Sequence, residues 1–361
     1  MKTRVSKKLL WLCLFVVFTL ALAPAASAQP GEFVKGVLQP LADGFPKETI
    51  TIINVDDPGT RDGIYARSLQ EAARPMSPVA IAVTDEPVAA GGTWYKLKEV
   101  VSRKGGTDGY YPIIFYPFGG VTDLLVDPGT EEMGSKVDDL NMLVVTESFP
   151  YVWIQRKNAP WGKTFASMVK YAKENPGKLV YISREVGSGN DIACSMMMSS
   201  VGILDKVKKV PQGSMQECAA AVGAGQGDFA MVGVDVALTN WQSGRVDATL
   251  VTGKKVPAPW DKDPNVVTGD SAGFSKEVIL SISLGLGVPK QVPQAHADWL
   301  SKLFKAAASS DVHKKRLKTV PGLNITLVSG KDANAQNKKI IELADPVVRA
   351  IGLHIEQQKK K

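Results

Sequence analysis

The sequence is poor in the residues that bind metals or form cross-links. It has three cysteines and three histidines in 361 residues, and no C-x-x-C pair occurs. The histidines, His296, His313 and His354, are spread along the second half of the chain. These spacings exclude a zinc site of the ordinary kind. We therefore expect neither a metal nor a cofactor.

Beyond residue 28 the sequence also lacks a hydrophobic run of membrane-spanning length. The first 28 residues differ from the rest, because a basic segment precedes the apolar run Leu9–Ala23 and the small residues Ala26-Ser27-Ala28 follow it. This is the pattern of a cleaved secretory signal peptide. We expect cleavage after Ala28 and an exported, soluble mature chain.

The charge balance gives no support for a nucleic-acid partner. The formal net charge is +7, and four of the basic residues lie in the signal segment, so the mature charge is +7 − 4 = +3. No stripe of lysines and arginines stands out in the rest of the chain. The remaining 361 − 28 = 333 residues are enough for two lobes or domains.

From residue 45 onward, short β-branched runs alternate with segments of helical periodicity. The pattern predicts strands and helices in turn, first over residues 50–120 and again over residues 179–252. This alternation is typical of an α/β fold with a parallel sheet, whose ligand sites lie at the carboxyl ends of the strands. Leu140–Gln155 is predicted to cross between the two sets, and Val278–Val288 to return. The first strands end in the glycine- or proline-rich stretches Pro58-Gly59, Gly91-Gly92 and Gly119-Gly120, which we interpret as loops.

Two of the strand-to-helix connections have the features of an anion site. Thr51–Arg74 is interpreted as a strand, a tight loop and a helix start, and Gly187-Ser188-Gly189-Asn190 precedes a second helix. Backbone N–H groups at a helix start have no partner within the helix, and the helix dipole is positive there. Each connection is either a seat for an anion or an ordinary turn, and the residues alone leave both readings open.

Cys194 and Cys218 remain after the signal peptide is removed. An oxidising compartment permits a disulfide between them. Both lie in helical segments, so two separate buried thiols are the equal alternative.

Gly269-Asp270-Ser271-Ala272-Gly273 matches the G-x-S-x-G pattern of serine hydrolases. That pattern needs a helix directly after the serine, whereas a β-branched segment follows here. We interpret it as a turn. The alternative is a secreted esterase that uses Ser271, His313 and an aspartate.

A series of short motifs extends along nearly the whole mature chain. They are Phe45-Pro46-Lys47 with Ile50-Thr51-Ile52-Ile53, Pro58-Gly59, Ala66-Arg67, Ala90-Gly91-Gly92, Asp108-Gly109-Tyr110, Glu174–Leu179, Val210-Pro211, Gly225-Gln226, Asp228, Ser243-Gly244-Arg245, Gly285-Leu286, Val288-Pro289 and Pro293. Each motif is short, but their order and spacing together are specific. In this order they resemble the periplasmic substrate-binding proteins of tripartite tricarboxylate transporters, also called the Bug family.

The resemblance implies a two-lobed periplasmic-binding-protein-like fold that closes like a hinge around a small organic acid. Residues 29–147 with 284–361 would form lobe 1, and residues 148–283 lobe 2. The receptor would act as a monomer, perform no chemistry and deliver its ligand to membrane permease subunits; the alternative is delivery to a sensor. The implied ligand-binding residues are Pro58, Gly59, Thr60, Arg61, Asp62, Ala90, Gly91, Gly92, Thr93, Tyr116, Phe118, Arg184, Gly187, Ser188, Gly189 and Asn190.

The chain departs from the family pattern where the ligand would bind. The usual acidic position of the first loop falls on Gly63, a common aspartate falls on Val232, and Asp56 and Asp57 stand where the family is uncharged. Arg61 or Arg184 could hold a carboxylate, or both could pair with Asp57, Asp62 or Glu185 at the surface. We expect a monocarboxylate, or a carboxylate with a donor-rich far end, rather than citrate.

Overall fold

The computed structural model describes residues 29–88, 92–276, 280–320 and 322–358, so the predicted signal peptide lies outside it. Its strands are β1 Phe33–Val34, β2 Val37–Leu38, β3 Ile50–Asn54, β4 Ile81–Asp85, β5 Ile113–Phe115, β6 Leu140–Arg156, β7 Leu179–Ser183, β8 Val207–Pro211, β9 Phe229–Gly233, β10 Val246–Val251, β11 Val267–Thr268, β12 Ser281–Pro289 and β13 Asn324–Ser329. Its helices are α1 Arg61–Ala73, α2 Gly92–Ser102, α3 Pro117–Val126, α4 Pro128–Glu132, α5 Phe165–Glu174, α6 Gly189–Ser200, α7 Met215–Gly223, α8 Val234–Gln242, α9 Gln294–Ala308, α10 Asp311–Lys314, α11 Gly330–Ala350 and α12 Ile355–Gln358.

Strand β6 joins the two parts of an eleven-stranded sheet. As far as Pro150 it pairs with β12 and β13, and from Tyr151 onward it pairs with β9 and β10. The sheet continues on one side through β12, β5, β3 and β4, and on the other through β9, β7 and β8. We call these two parts, with their helices, the first and the second lobe. The predicted α/β fold with two lobes is confirmed.

Within each lobe the sheet is parallel, as expected, apart from the long strands. β3 runs parallel to β4 and β5, and β7 runs parallel to β8 and β9. β6 and β12 run antiparallel to each other and to their other neighbours. The carboxyl ends of the parallel strands in both lobes lead into helix starts, which brings several of these starts close together.

The apolar composition of β6 follows from its burial at the centre of the sheet. It is buried over nearly its whole length, which agrees with a continuous apolar run rather than an alternating one. In the second lobe its Trp153 ring stacks on Phe229, with ring centroids 5.3 Å apart. Stacked aromatic pairs of this kind add to the free energy gained from burial. β6 is therefore part of the hydrophobic core on both sides of the point where its partners change.

The expectation of a loop at Pro117–Gly120 is wrong, because α3 begins at Pro117. Proline is favoured at the first helical position, where its missing N–H has no partner to lose. Gly120 lies inside this helix, where Phe115 packs on it and leaves no room for a side chain: an added Cβ would lie 2.5 Å from a ring atom. The glycine here serves close packing rather than a turn.

Cys194 and Cys218 are both free and buried. Burial raises the pKa of both thiols, that of Cys218 to about 11. Of the two alternatives, the structure therefore contains the buried thiols, and at neutral pH these stay protonated and unreactive.

Within the described ranges no helix combines the length and the apolar character needed to cross a bilayer. The same ranges contain no group of three His, Cys, Asp or Glu side chains arranged to hold a metal ion.

Candidate functional site

The two lobes touch where four helices begin. Arg61 at the start of α1 forms an ion pair with Asp235 at the start of α8. Gly119 in α3 faces Gly189 at the start of α6 so closely that a Cβ added at Gly189 would lie 2.6 Å from the Gly119 Cα atom. We call this region the seam and define it by Arg61, Asp62, Tyr116, Phe118, Gly119, Phe149, Tyr151, Arg184, Gly189, Asn190, Gly233 and Asp235.

The start of α1 is set by a local cap. The Thr60 side-chain oxygen accepts a hydrogen bond from the Gly63 N–H at 3.5 Å. Gly63 has no room for a side chain, because a Cβ there would overlap the Pro58 carbonyl oxygen. The N–H groups of Arg61 and Asp62 belong to the first turn and have no partner within the helix. The positive end of α1 is thus directed at the second lobe.

Arg61 connects the lobes. Its guanidinium lies 2.5 Å from the Asp235 carboxylate and 4.2 Å from the centre of the Phe149 ring, on which it stacks. The alternative in which Arg61 pairs with Asp57, Asp62 or Glu185 is therefore wrong, because its partner comes from the other lobe. The Arg61 side chain is 22% exposed and that of Asp235 is 39% exposed, so solvent screens the attraction in part.

Arg184 supplies a second cation on the side of the second lobe. It follows β7, is half-buried, and has no ion-pair partner among the described residues. Burial raises the pKa of the Tyr151 phenol to about 12, while the nearby charges of Arg61 and Arg184 act to lower it. Tyr151 thus lies within the electrostatic range of one arginine from each lobe.

Asp62 is the most unusual acid of the seam. It is 1% exposed, its Oδ1 atom accepts a hydrogen bond from the Tyr116 hydroxyl, and its Oδ2 atom has no hydrogen-bond partner in the described structure. Burial raises the pKa of Asp62 from 3.8 to about 7, and the bond from Tyr116 opposes that rise. The carboxyl is therefore partly protonated near neutral pH.

This pKa leads to a prediction for Asp62→Asn. A carboxyl with a raised folded-state pKa destabilises the fold progressively as the pH rises from about 4 to about 7, and above that the penalty is constant. Each pKa unit of difference corresponds to about 1.4 kcal/mol. We expect the variant to match the parent protein near pH 4 and to be more stable by a few kcal/mol at pH 8. Urea unfolding at both pH values measures this, and equal stabilities at pH 8 would contradict it.

Some of the backbone N–H groups at the start of α6 are hydrogen-bonded to side chains of the same helix start. Ser188 caps the N–H of Asp191, whose carboxylate in turn accepts the Gly187 N–H at 3.1 Å and Lys209 Nζ at 2.9 Å. Gly187 is therefore already paired. The N–H groups of Gly189 and Asn190, in the first turn, remain without a partner in the helix.

Asn190 is held by the Met231 carbonyl and by a side-chain interaction with the Tyr151 hydroxyl. Its side-chain nitrogen donates to the Met231 carbonyl at 2.9 Å, and its Oδ1 atom is buried with no hydrogen-bond partner in the described structure. The residue is 3% exposed. Asn190 is thus a fixed, buried acceptor beside the contact between Gly189 and Gly119.

Among the implied ligand residues outside the seam are Pro58, Gly59, Gly92 and Thr93. Pro58 and Gly59 are exposed, and a Cβ added at Gly59 would meet no atom within 4 Å. Gly92 and Thr93 begin α2, with Gly92 against Val88. Ala90 and Gly91 lie outside the described residues.

Five seam residues were not among the implied ligand residues: Gly119, Phe149, Tyr151, Gly233 and Asp235. Phe149 and Tyr151 flank Pro150 in the crossing strand, where an interruption of the apolar run is visible in the sequence. Asp235 lies in the first turn of α8, the helix that follows β9, as Arg61 lies in the first turn of α1, the helix that follows β3. That equivalence of position could have identified it.

Ser271 lies in a turn, as predicted. Its hydroxyl is 3.0 Å from the Thr268 hydroxyl, and the Ala272 N–H closes the turn on the Thr268 carbonyl. His313 is buried elsewhere, with Nδ1 2.9 Å from the Ser68 hydroxyl and Nε2 3.0 Å from Glu147. Both ring nitrogens are therefore engaged away from Ser271.

Comparison with known proteins agrees with this architecture. A UPF0065 protein of Bordetella pertussis is 23% identical over 316 residues, which cover 86% of this chain and 92% of that protein. A TctC solute-binding protein from Polaromonas superposes with a TM-score of 0.69 at 17% identity, covering 85% of this chain and 99% of the other. MatC of Rhodopseudomonas palustris, solved with bound malate, gives a TM-score of 0.62 at 18% identity, covering 84% of this chain and 100% of the other.

These structural likenesses establish the two-lobed fold. The family assignment comes from a separate match, in which the model of the tripartite tricarboxylate transporter family receptor, TctC, covers residues 83–353. That range includes most of both lobes and three of the four helix starts at the seam. The chain belongs to the tripartite tricarboxylate transporter receptor family.

Proposed function

We propose that this protein is a periplasmic receptor that captures a small organic acid between its lobes and delivers it to a tripartite tricarboxylate-type permease. The observation that carries the proposal is the convergence of four helix starts, two from each lobe, with Arg61 and Arg184 beside them. Unpaired N–H groups and helix dipoles at such starts favour a carboxylate. Malate bound to MatC supports an acid as the ligand.

The proposal assigns residues 29–147 with 284–361 to lobe 1 and residues 148–283 to lobe 2, acting as a monomer. The change of partners along β6 after Pro150 supports a division close to this point. Contacts from both lobes at one seam support a ligand that is enclosed by hinge closure. A receptor that supplies a sensor would have the same seam, and only a transport assay separates the two.

The alternative role as an esterase has no support from the surroundings of Ser271 and His313. The family consists of transporter receptors. In the described structure Ser271 pairs with Thr268, and His313 contacts Ser68 and Glu147 instead. Hydrolysis of a nitrophenyl ester that Ser271→Ala abolishes would overturn this part of the proposal.

Export predicts a defined mature N-terminus. The basic segment, the apolar run and Ala26-Ser27-Ala28 direct cleavage to the bond before Gln29. We expect the intact mass of protein isolated from the periplasm to correspond to a chain that begins at Gln29. Recovery of the full-length chain from the membrane fraction would contradict it.

The function is tested by ligand screening followed by transport. We expect organic acids, and not neutral or cationic solutes, to raise the melting temperature; ligand at 100 times its Kd adds about 2.7 kcal/mol of stability. Arg184→Gln should weaken acid binding, while Arg245→Gln, at an exposed residue after α8, should not. Uptake of the identified acid in cells with and without the gene then distinguishes a permease from a sensor.

A further inference from the structure

The seam contains three buried acceptor oxygens that no donor in the described structure satisfies. They are Oδ2 of Asp62, Oδ1 of Asn190 and Oδ1 of Asp235. Asp62 and Asn190 are 1% and 3% exposed, so bulk water does not solvate their side chains. Leaving a buried acceptor unpaired is unfavourable, and native proteins seldom do so without a functional reason.

The two most buried acceptors lie on opposite lobes. Asp62 is the second residue of α1, directly after the Arg61 that reaches Asp235 in the second lobe. Asn190 is the second residue of α6, directly after the Gly189 that contacts Gly119 in the first lobe. A molecule enclosed at the seam would therefore meet an unpaired acceptor from each side, next to the N–H groups of the same helix starts.

The charges of the seam limit the number of carboxylates. Arg61 is already neutralised by Asp235. Arg184 is the cation near Tyr151 that has no acidic partner among the described residues. One carboxylate on the ligand matches this cation and the helix starts, whereas a second would lie near Asp62 and be repelled at any pH at which the Asp62 carboxyl is ionised.

Resting on the proposed function, we infer that the ligand is a monocarboxylate that also carries a hydroxyl or ammonium group, and that Asp62 and Asn190 accept the hydrogen bonds of this group. The carboxylate takes the backbone donors of the helix starts and Arg184. Above pH 8, where its carboxyl is ionised, Asp62 is then the specificity-determining residue, because it offers only acceptors where a dicarboxylate would need a donor.

A matched set of acids tests the inference on the mature protein. Butyrate, 4-hydroxybutyrate, 4-aminobutyrate and succinate form a set of four-carbon acids that differ only at the end opposite the shared carboxylate. The corresponding sets of five- and six-carbon acids extend the comparison to longer ligands. We expect titration calorimetry at pH 8.5, where Asp62 is ionised, to show the hydroxyl or amino member of one set binding at least tenfold more tightly than its methyl and dicarboxylate members. Tightest binding by a dicarboxylate would overturn the inference and leave the proposed function intact. Binding of neutral or cationic solutes alone would overturn both.

Two variants test the assigned residues. Asp62→Asn can still accept from Tyr116, but it can present an N–H donor in place of the free Oδ2 atom. We expect it to lose the preference for the hydroxyl or amino acid and to gain affinity for the dicarboxylate. Asn190→Asp should tighten binding of the amino member. Glu71→Gln, at an exposed acid on the same helix as Asp62, is the control. It should change neither the preference among the acids nor the affinity for the amino member. An unchanged preference in folded Asp62→Asn, shown by its circular dichroism, would reject the assignment.

Discussion

Replacing Glu147 with glutamine is expected to lower the free energy of unfolding by about 3–5 kcal/mol, because it leaves a buried charge without its partner. Glu147 is fully buried in β6, and Arg316 donates to both of its carboxylate oxygens, at 2.7 and 3.0 Å. Burial acts to raise the pKa of Glu147, but bonds from His313 and Arg316 outweigh it and hold the pKa below its ordinary value. Urea unfolding of parent and variant measures the loss.

A double variant and a surface pair serve as controls for Glu147. Glu147→Leu with Arg316→Met removes both charges, and apolar replacements of a whole buried pair are often neutral. We expect it to recover part of the stability that the single variant loses, because Nε2 of buried His313 still lacks its Glu147 partner. Glu342→Gln removes an exposed partner of Lys339 and should cost at most about 1 kcal/mol. Equal, small effects of Glu147→Gln and Glu342→Gln would show that the buried pair contributes little.

Gly189→Ala is expected to weaken ligand binding about 5- to 150-fold, the equivalent of a steric cost of about 1–3 kcal/mol. The added methyl group would lie 2.6 Å from the Gly119 Cα atom, and backbone cannot give way as a flexible side chain can. Alanine suits the first turn of a helix, so each lobe should fold as before. Titration calorimetry gives the affinity, and small-angle scattering shows whether the lobes still close.

Two other glycines provide matched controls for Gly189. A Cβ at Gly119 would lie 4.0 Å from its nearest neighbours, and one at Gly59 would meet nothing within that distance. Gly119→Ala should therefore permit closure, although it lies on the same contact. Gly59→Ala should do the same, and it affects binding only if a ligand approaches that loop. If Gly189→Ala binds as the parent does, closure does not require this contact.

The local parts of the site could be predicted from the sequence. The β-branched strand, the Pro58-Gly59 loop and the helical periodicity from Ile64 predicted β3 and α1, because each is decided by neighbouring residues, but α1 begins at Arg61, three residues before the expected start. The helix after the Gly187–Asn190 stretch was also predicted, but α6 begins at Gly189 rather than at the expected Asp191. Capping and periodicity depend on interactions over a few residues, so helices of this kind can be predicted from sequence spacing to within a few residues.

The long-range parts could not be predicted. Arg61 and Asp235 are 174 positions apart, and Glu147 and Arg316 are 169 apart. Which acid meets which base depends on how β6 and β9 align in the sheet. The sequence identified Arg61 as a candidate cation, but it offered only nearby acids as partners. The expected loop at Gly119 was wrong for a different, local reason, since a helix with proline at its first position begins at Pro117.

The pairing of β6 also determines the order in which the chain can fold. The strands of the second lobe, from Tyr151 in β6 to Thr268 in β11, lie in one continuous stretch. The first lobe needs β12, whose Pro289 pairs with Leu140. During synthesis the second lobe can therefore form first, whereas the first-lobe part of β6 stays unpaired until β12 has been synthesised. A chain that stops before β12 would keep that edge open, and an unpaired edge of such apolar character is prone to aggregate.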